Sequence, residues 1–276
     1  LNSKNPYRAT VEHLPTRSGD SPRPTRVRFG VLAFSVVMAV ILYLDRMAIS
    51  VALPAMAADL QLEISRVADA VAVFFWCYAL FQIPAGWLGD RWGGRRALTL
   101  YIVVWSVAIA GMGLAGGLAS LVATRALLGV GQAGAYATTA SFLRRWIPFT
   151  ARGLANSAVS LGGRAGGVLA PAVTSLLMLA AAHAGIRSGQ WRPVFLLYGL
   201  LGVVWAVLFW RWFRDSPRLH ADCNPAEAAL IQSGQVASEP AEVARGPMPL
   251  AAMVNSASLL SLSLAMFAVN VGWIFV

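Results

Sequence analysis

Gly86-Trp87-Leu88-Gly89-Asp90-Arg91-Trp92-Gly93-Gly94-Arg95-Arg96 joins two long apolar runs, residues 67–88 and 97–118. Each run can cross a bilayer as a helix, which takes about 20 residues. The turn between them carries Asp90, Arg91, Arg95 and Arg96. It is too polar for hydrocarbon and belongs at a membrane face. Gly86, Gly89, Gly93 and Gly94 allow close helix approach and backbone angles closed to other residues.

Working outward, the composition agrees with a membrane protein. Apolar residues make up 58% of the chain and charged residues 12%, against about 25% charged in soluble domains. The net charge of +10 does not point to nucleic acid. The basic residues sit in short clusters between apolar runs, where they set topology. Cys77 lies inside a run and Cys223 in a polar loop, and they form neither a metal-ligand nor a disulfide pattern. No metal or cofactor is expected. His13, His183 and His220 lie in a tail, at a span end and in a loop, which is no catalytic set, so an enzyme is not expected either.

The hydrophobic segments are 29–53, 67–88, 97–118, 120–143, 154–182, 193–213 and 259–276. Residues 1–26 are polar, with Pro15, Pro22 and Pro24, and read as a disordered tail. Residues 214–258 are the one long polar stretch between spans and read as a linker. Lys4, Arg8, Arg17, Arg23, Arg26 and Arg28 precede the first span. Arg91, Arg95, Arg96, Arg144, Arg145, Arg152, Arg211, Arg214, Arg218 and Arg245 fall on the same side, and only Arg66, Arg187 and Arg192 on the other. The positive-inside bias therefore puts the N-terminus in the cytoplasm.

Four ionisable residues fall deep inside spans: Asp45 and Arg46 in the first, Arg125 in the fourth and Arg164 in the fifth. A charge at a helix centre costs about 2.5–3.5 kcal/mol on insertion scales, so each needs a partner or a watered cavity. Counting at about 1.5 Å per residue puts Arg46 and Arg125 at similar depth near the outer side. Arg164 and Tyr78 fall near the midplane, so these side chains can meet in one cavity. One acid cannot neutralise three arginines, and an arginine fork fits a carboxylate or phosphate in two-point contact. The expected ligand is an anion. The alternative for Asp45 is a pair with Arg46 or Arg125 that only holds helices together.

The fourth span reads Arg125-Ala-Leu-Leu-Gly129-Val-Gly131-Gln132-Ala-Gly134-Ala-Tyr136. Positions 125, 129, 132 and 136 share one helical face. That face carries a guanidinium, a gap, an amide and a phenol, and is not expected to meet lipid. The glycines by themselves are a common helix-packing pattern.

The turn pattern G-x-x-x-D-R-x-G-x-R-R resembles the signature loop between the second and third helices of the major facilitator superfamily of secondary transporters. The run Tyr43-Leu44-Asp45-Arg46-Met47-Ala48-Ile49-Ser50-Val51-Ala52-Leu53-Pro54 is similar to the first helix of its anion:cation symporters. So are Arg125 with Gly129, Trp146-x-Pro148 with Arg152-Gly153, and Arg214-Asp215-Ser216-Pro217 with His220, Asn224 and Glu227. Asn270-Val271-Gly272-Trp273 looks like the start of that family's seventh helix.

The resemblance implies an all-α membrane protein. Residues 27–213 would be the six-helix N-terminal half of a facilitator fold, a 3+3 inverted repeat, and 259–276 the start of a seventh helix, with the second half of the fold missing. It implies alternating-access transport of a small organic anion, a sugar acid or other carboxylate, with protons or Na+ as possible partners. The protein would be a monomer in the cell (inner) membrane. Arg46, Tyr78 and Arg125 would bind substrate, joined by Arg164. Asp45 and the position of Gln132 would serve ion coupling. Gly86, Asp90, Arg91, Gly93, Arg95 and Arg96 would gate the cytoplasmic side. Proton-coupled members often carry a glutamate seven residues after the fourth-span arginine, where this chain has Gln132, which cannot titrate. The competing readings are a facilitator exporter of drugs or metabolites and a membrane sensor that does not transport.

Overall fold

The computed structural model describes residues 23–186, 188–233 and 255–274, with side chains described as far as residue 265. The charges counted at Lys4, Arg8, Arg17, Arg187 and Arg245 lie outside the described residues, as does the seventh-helix motif's side-chain detail. The long apolar runs form helices: α1 (Val27–Asp59), α2 (Ile64–Trp92) and α3 (Gly94–Gly113), then α4 (Leu118–Ala133) and α5 (Ala135–Trp146). They are followed by α6 (Arg152–His183), α7 (Trp191–Trp212), the short α8 (Pro225–Gln232) and α9 (Ala257–Ile274). Among the described residues, six helical stretches are long and apolar enough to cross a membrane, α4 and α5 together making one of them.

Packing follows a pattern that the order of the helices explains. α1 lies along α6, α2 along α4, and α3 along α7. The first helix of each triplet thus pairs with the second of the other, and the two third helices pair together. That exchange is what an inverted repeat of three plus three produces.

Two local features depart from the sequence reading. The charged turn shrinks to one residue, because α2 continues through Asp90, Arg91 and Trp92 and α3 begins at Gly94. Gly93 makes the reversal alone at φ 84°, a left-handed angle that only glycine adopts without strain. The fourth span is broken at Gly134, whose neighbours Tyr101 and Ala85 leave no space for a side chain. Tyr101 fastens this corner by donating to the Ala85 carbonyl at 2.6 Å.

The polar stretch after α7 does not simply divide spans. Its first part folds back on the bundle and caps two helix starts. Asp215 Oδ1 accepts the Arg95 backbone N–H at 2.8 Å, at the N-terminus of α3. Glu227 of α8 is fully buried and accepts the backbone N–H groups of Val27 and Arg28, each at 3.1 Å. It also accepts the Thr25 hydroxyl and pairs with Arg28 Nη1 at 3.0 Å. Anions belong at helix N-termini, where backbone donors point outward and the dipole is positive. Asn224 caps α8 through the Glu227 N–H at 2.8 Å and donates to the Arg23 carbonyl at 2.8 Å. Residues 23–26, read as the end of a disordered tail, are therefore held in place. Between these caps, His220 is wedged among the rings of Trp146 and Trp212, and burial holds its imidazole below the usual histidine range.

Glu227→Gln should lower stability by about 1–3 kcal/mol, because an amide cannot replace a carboxylate that accepts several buried donors. The thermal unfolding midpoint in detergent checks this. An unchanged midpoint would mean that the cap contributes nothing.

Candidate functional site

Phe74 organises the site, and its contacts decide what the nearby arginines do. Its ring is fully buried between α1, α2 and α4. The Arg46 guanidinium lies 5.0 Å from its centroid and that of Arg125 4.8 Å from the same centroid. Arg46 also lies over Tyr43 at 5.1 Å and Tyr78 at 4.7 Å. Two cations thus share one aromatic ring in a single site.

The approach of α2 and α4 that makes this possible depends on Gly129. A Cβ there would lie 2.5 Å from the Phe74 carbonyl oxygen and 3.0 Å from the Tyr78 backbone nitrogen. Any larger residue would push the helices apart and separate Arg125 from the ring. Gln132, one turn further along α4, is fully buried. Its Oε1 accepts from Arg46 Nε at 3.3 Å and Nη2 at 3.2 Å, while its Nε2 donates to the Leu42 carbonyl at 3.3 Å. Tyr136, the next position on that face, stands against Gly163 of α6, close to Tyr43.

The electrostatics are unbalanced. Among the described residues no carboxylate lies within 4 Å of Arg46 or Arg125. Arg125 is 1% exposed, and its Nε and Nη1 find no acceptor among the described residues. A ring contact is worth about 0.5–2 kcal/mol, whereas the effective cost of taking an ion out of water is several kcal/mol. Both guanidiniums lie within 5.0 Å of one ring centroid, and like charges no more than about 10 Å apart repel by at least roughly 1.7 kcal/mol at an effective dielectric constant of about 20. Phe74 and one neutral amide oxygen do not offset these costs. An anion reaching both guanidiniums would.

Asp45 does not supply that anion. Although next to Arg46 in sequence, it is 1% exposed and turned into the core toward α3 and α7. The Trp105 indole N–H faces it without closing a hydrogen bond of standard geometry, and both carboxyl oxygens lack a partner among the described residues. The alternative that pairs Asp45 with Arg46 or Arg125 is thus corrected. Successive residues on a helix point about 100° apart, so neighbours in sequence cannot share a face. Arg164 is likewise not part of the ring cluster: it is exposed on α6 and lines, with Asn156, Ser157 and Ser160, an open groove of about 540 Å³.

At the α2–α3 turn the charges work singly. Asp90 accepts the Ser141 hydroxyl of α5 at 2.9 Å and, among the described residues, has no arginine within 4 Å. Asp90 thus ties the end of α2 to α5 through a neutral hydroxyl. Arg95 does meet a helix C-terminus, donating from Nε to the Trp210 carbonyl of α7 at 2.9 Å. Arg91 stacks on Trp87 at 5.2 Å. Gly93 and Gly94 lie against Asp215, and Gly86 faces Ala137. Arg96 is exposed. Sequence reasoning missed Phe74, and it named Asp215 within a loop motif without its cap on α3. Phe74 was visible as the residue one turn before Tyr78 on the same face, while Asp215 capping α3 gives no local signal.

Fold and site together define a multi-pass membrane protein built on a six-helix inverted repeat. The chain belongs to the Major Facilitator Superfamily, whose family model matches residues 36–276. It is 31% identical over 75% of its length to a probable sulfoacetate transporter of Cupriavidus necator, covering 46% of that protein. It is 30% identical over 87% of its length to a hexuronate transporter of Bacillus subtilis, covering 52%. A D-galactonate transporter of Escherichia coli is 29% identical over 78% of the chain, with 48% of that protein covered. The chain thus spans about half the length of the curated relatives it matches. These relatives are transporters, not enzymes. The crystal structure of a bacterial homologue of the human lysosomal transporter Spinster, inward-facing and unoccupied, superposes with a TM-score of 0.63 at 24% identity. It covers 76% of this chain and 48% of that one, and it shows the fold alone.

Proposed function

We propose that this chain contributes half of a secondary transporter for small organic anions, sugar acids or related carboxylates and sulfonates, working by alternating access. The observation that carries the reading is the pair of arginines on Phe74, with Arg125 buried and two of its donors lacking an acceptor. The names of the relatives, for sulfoacetate, hexuronate and galactonate, support the same substrate class. Arg125 and Arg46 bind the anionic group, Tyr78 lines the site, and Arg164 on the exposed face of α6 guides anions toward it. Asp45 is the acid available for coupling to a proton or another cation. Gly86, Asp90, Arg91, Gly93, Arg95 and Arg96 form the cytoplasmic gate. The protein lies in the cell (inner) membrane as a monomer, with its N-terminus in the cytoplasm.

Proteoliposomes containing the protein from its complete gene, preloaded with one sugar acid, test this by counterflow. Labelled hexuronate or hexonate should enter, and a neutral hexose should not. Equal entry of the hexose would remove the anion reading.

Gln132→Glu gives a second test. A glutamate there would form a charge-assisted pair with Arg46 in place of the present neutral contact. Ionised at high pH, it would compete with the substrate, and protonated at low pH it would release Arg46. Anion affinity should become pH-dependent, tighter in acid, whereas the wild-type site should show less change over the same range. A flat profile for the variant would contradict the contact's role in binding.

A further inference from the structure

On the far side of α3 and α7 from the arginine pair lies an open groove of about 570 Å³. Its walls include Val103 and Val207, exposed apolar residues. Its mouth, at the level of the α2–α3 turn, holds Arg96 and Arg211, flanked by Trp92 and Trp210. Both arginines are exposed, and among the described residues neither has a carboxylate within 4 Å. The nearby acids are engaged elsewhere, Asp215 by the Arg95 N–H and Asp90 by Ser141.

A groove with an apolar wall and a doubly cationic rim fits one occupant of the surrounding membrane. We infer that it holds an anionic glycerophospholipid of the adjacent leaflet. The headgroup phosphate lies between Arg96 and Arg211, and one acyl chain runs along Val103 and Val207. Trp92 and Trp210 sit at headgroup level, where tryptophans concentrate. Basic residues at this level attract anionic lipids. A zwitterionic lipid would bring its own cation against two arginines, and a soluble anion would leave the apolar wall uncovered. Charge complementarity and apolar continuity together therefore select the anionic lipid. The inference stands whether or not the arginine pair on Phe74 binds substrate.

Native mass spectrometry of the delipidated protein from its complete gene tests it, with phosphatidylglycerol and phosphatidylcholine titrated separately. The first phosphatidylglycerol should bind at least tenfold more tightly than phosphatidylcholine. Arg96→Gln with Arg211→Gln should abolish that preference. Val207→Trp, which fills the groove and leaves both arginines, should weaken phosphatidylglycerol binding by a similar factor. If the arginine variant fails to fold, Val207→Trp decides alone. A wild type without lipid preference, or full phosphatidylglycerol affinity in Val207→Trp, would overturn the site.

Discussion

Arg125→Lys is expected to weaken anion binding by about 1.5–3 kcal/mol, the range for one charged hydrogen bond, or roughly ten- to 150-fold. The reason is geometric. Arg125 reaches the site from a fully buried position, with its guanidinium held at 4.8 Å over Phe74. A guanidinium can offer two parallel donors to one carboxylate, and an ammonium cannot. Lysine keeps the charge, so a purely long-range attraction would survive the change. Binding to purified protein separates the possibilities. If affinity is kept while expression or the unfolding midpoint falls, Arg125 is a packing residue and the substrate assignment fails.

The second large effect concerns coupling. Asp45→Asn should abolish accumulation driven by a pH gradient while counterflow exchange continues. Asparagine preserves the size of a side chain whose carboxyl oxygens make no hydrogen bond among the described residues, so folding should tolerate it. One coupled proton across one pH unit is worth about 1.36 kcal/mol, or roughly tenfold accumulation in an electroneutral cycle. The variant should show none of this. Asp45 and Arg46 are adjacent on α1, so a shift of that helix on anion binding would reach both, which is how linkage can join proton and substrate. Accumulation that persists in Asp45→Asn would move the coupling acid elsewhere. A wild-type stoichiometry of two or more protons would require another acid in addition.

The helices were legible because each span is a run of apolar residues longer than a bilayer requires, and the clustered arginines separate the spans clearly. The boundaries were less so. Asp90, Arg91 and Trp92 read as loop because they are polar at a membrane face, yet they remain helical because Gly93 can reverse the chain alone. Gly134 could signal packing or a break, and it does both. In the candidate site, the face formed by Arg125, Gly129, Gln132 and Tyr136 followed from helical spacing and does look inward. The placement of Asp45 did not follow, because proximity in sequence was read as proximity in space. Helix geometry alone would have turned Asp45 away from Arg46. The caps made by Asp215 and Glu227 join residues more than a hundred positions apart, and no local pattern announces such contacts.

Recognition of an anionic group by the arginines at Phe74 is the central step of the proposed transport. The most direct measurement is calorimetric binding of a hexonate and of the matching hexitol to the same purified protein from its complete gene. The two ligands differ only in carboxylate against hydroxymethyl. The hexonate should bind, and the hexitol should bind at least tenfold more weakly, since losing a charged hydrogen-bond pair costs about 1.5–3 kcal/mol and leaves both guanidiniums unmatched. Equal affinities for the two would contradict the account.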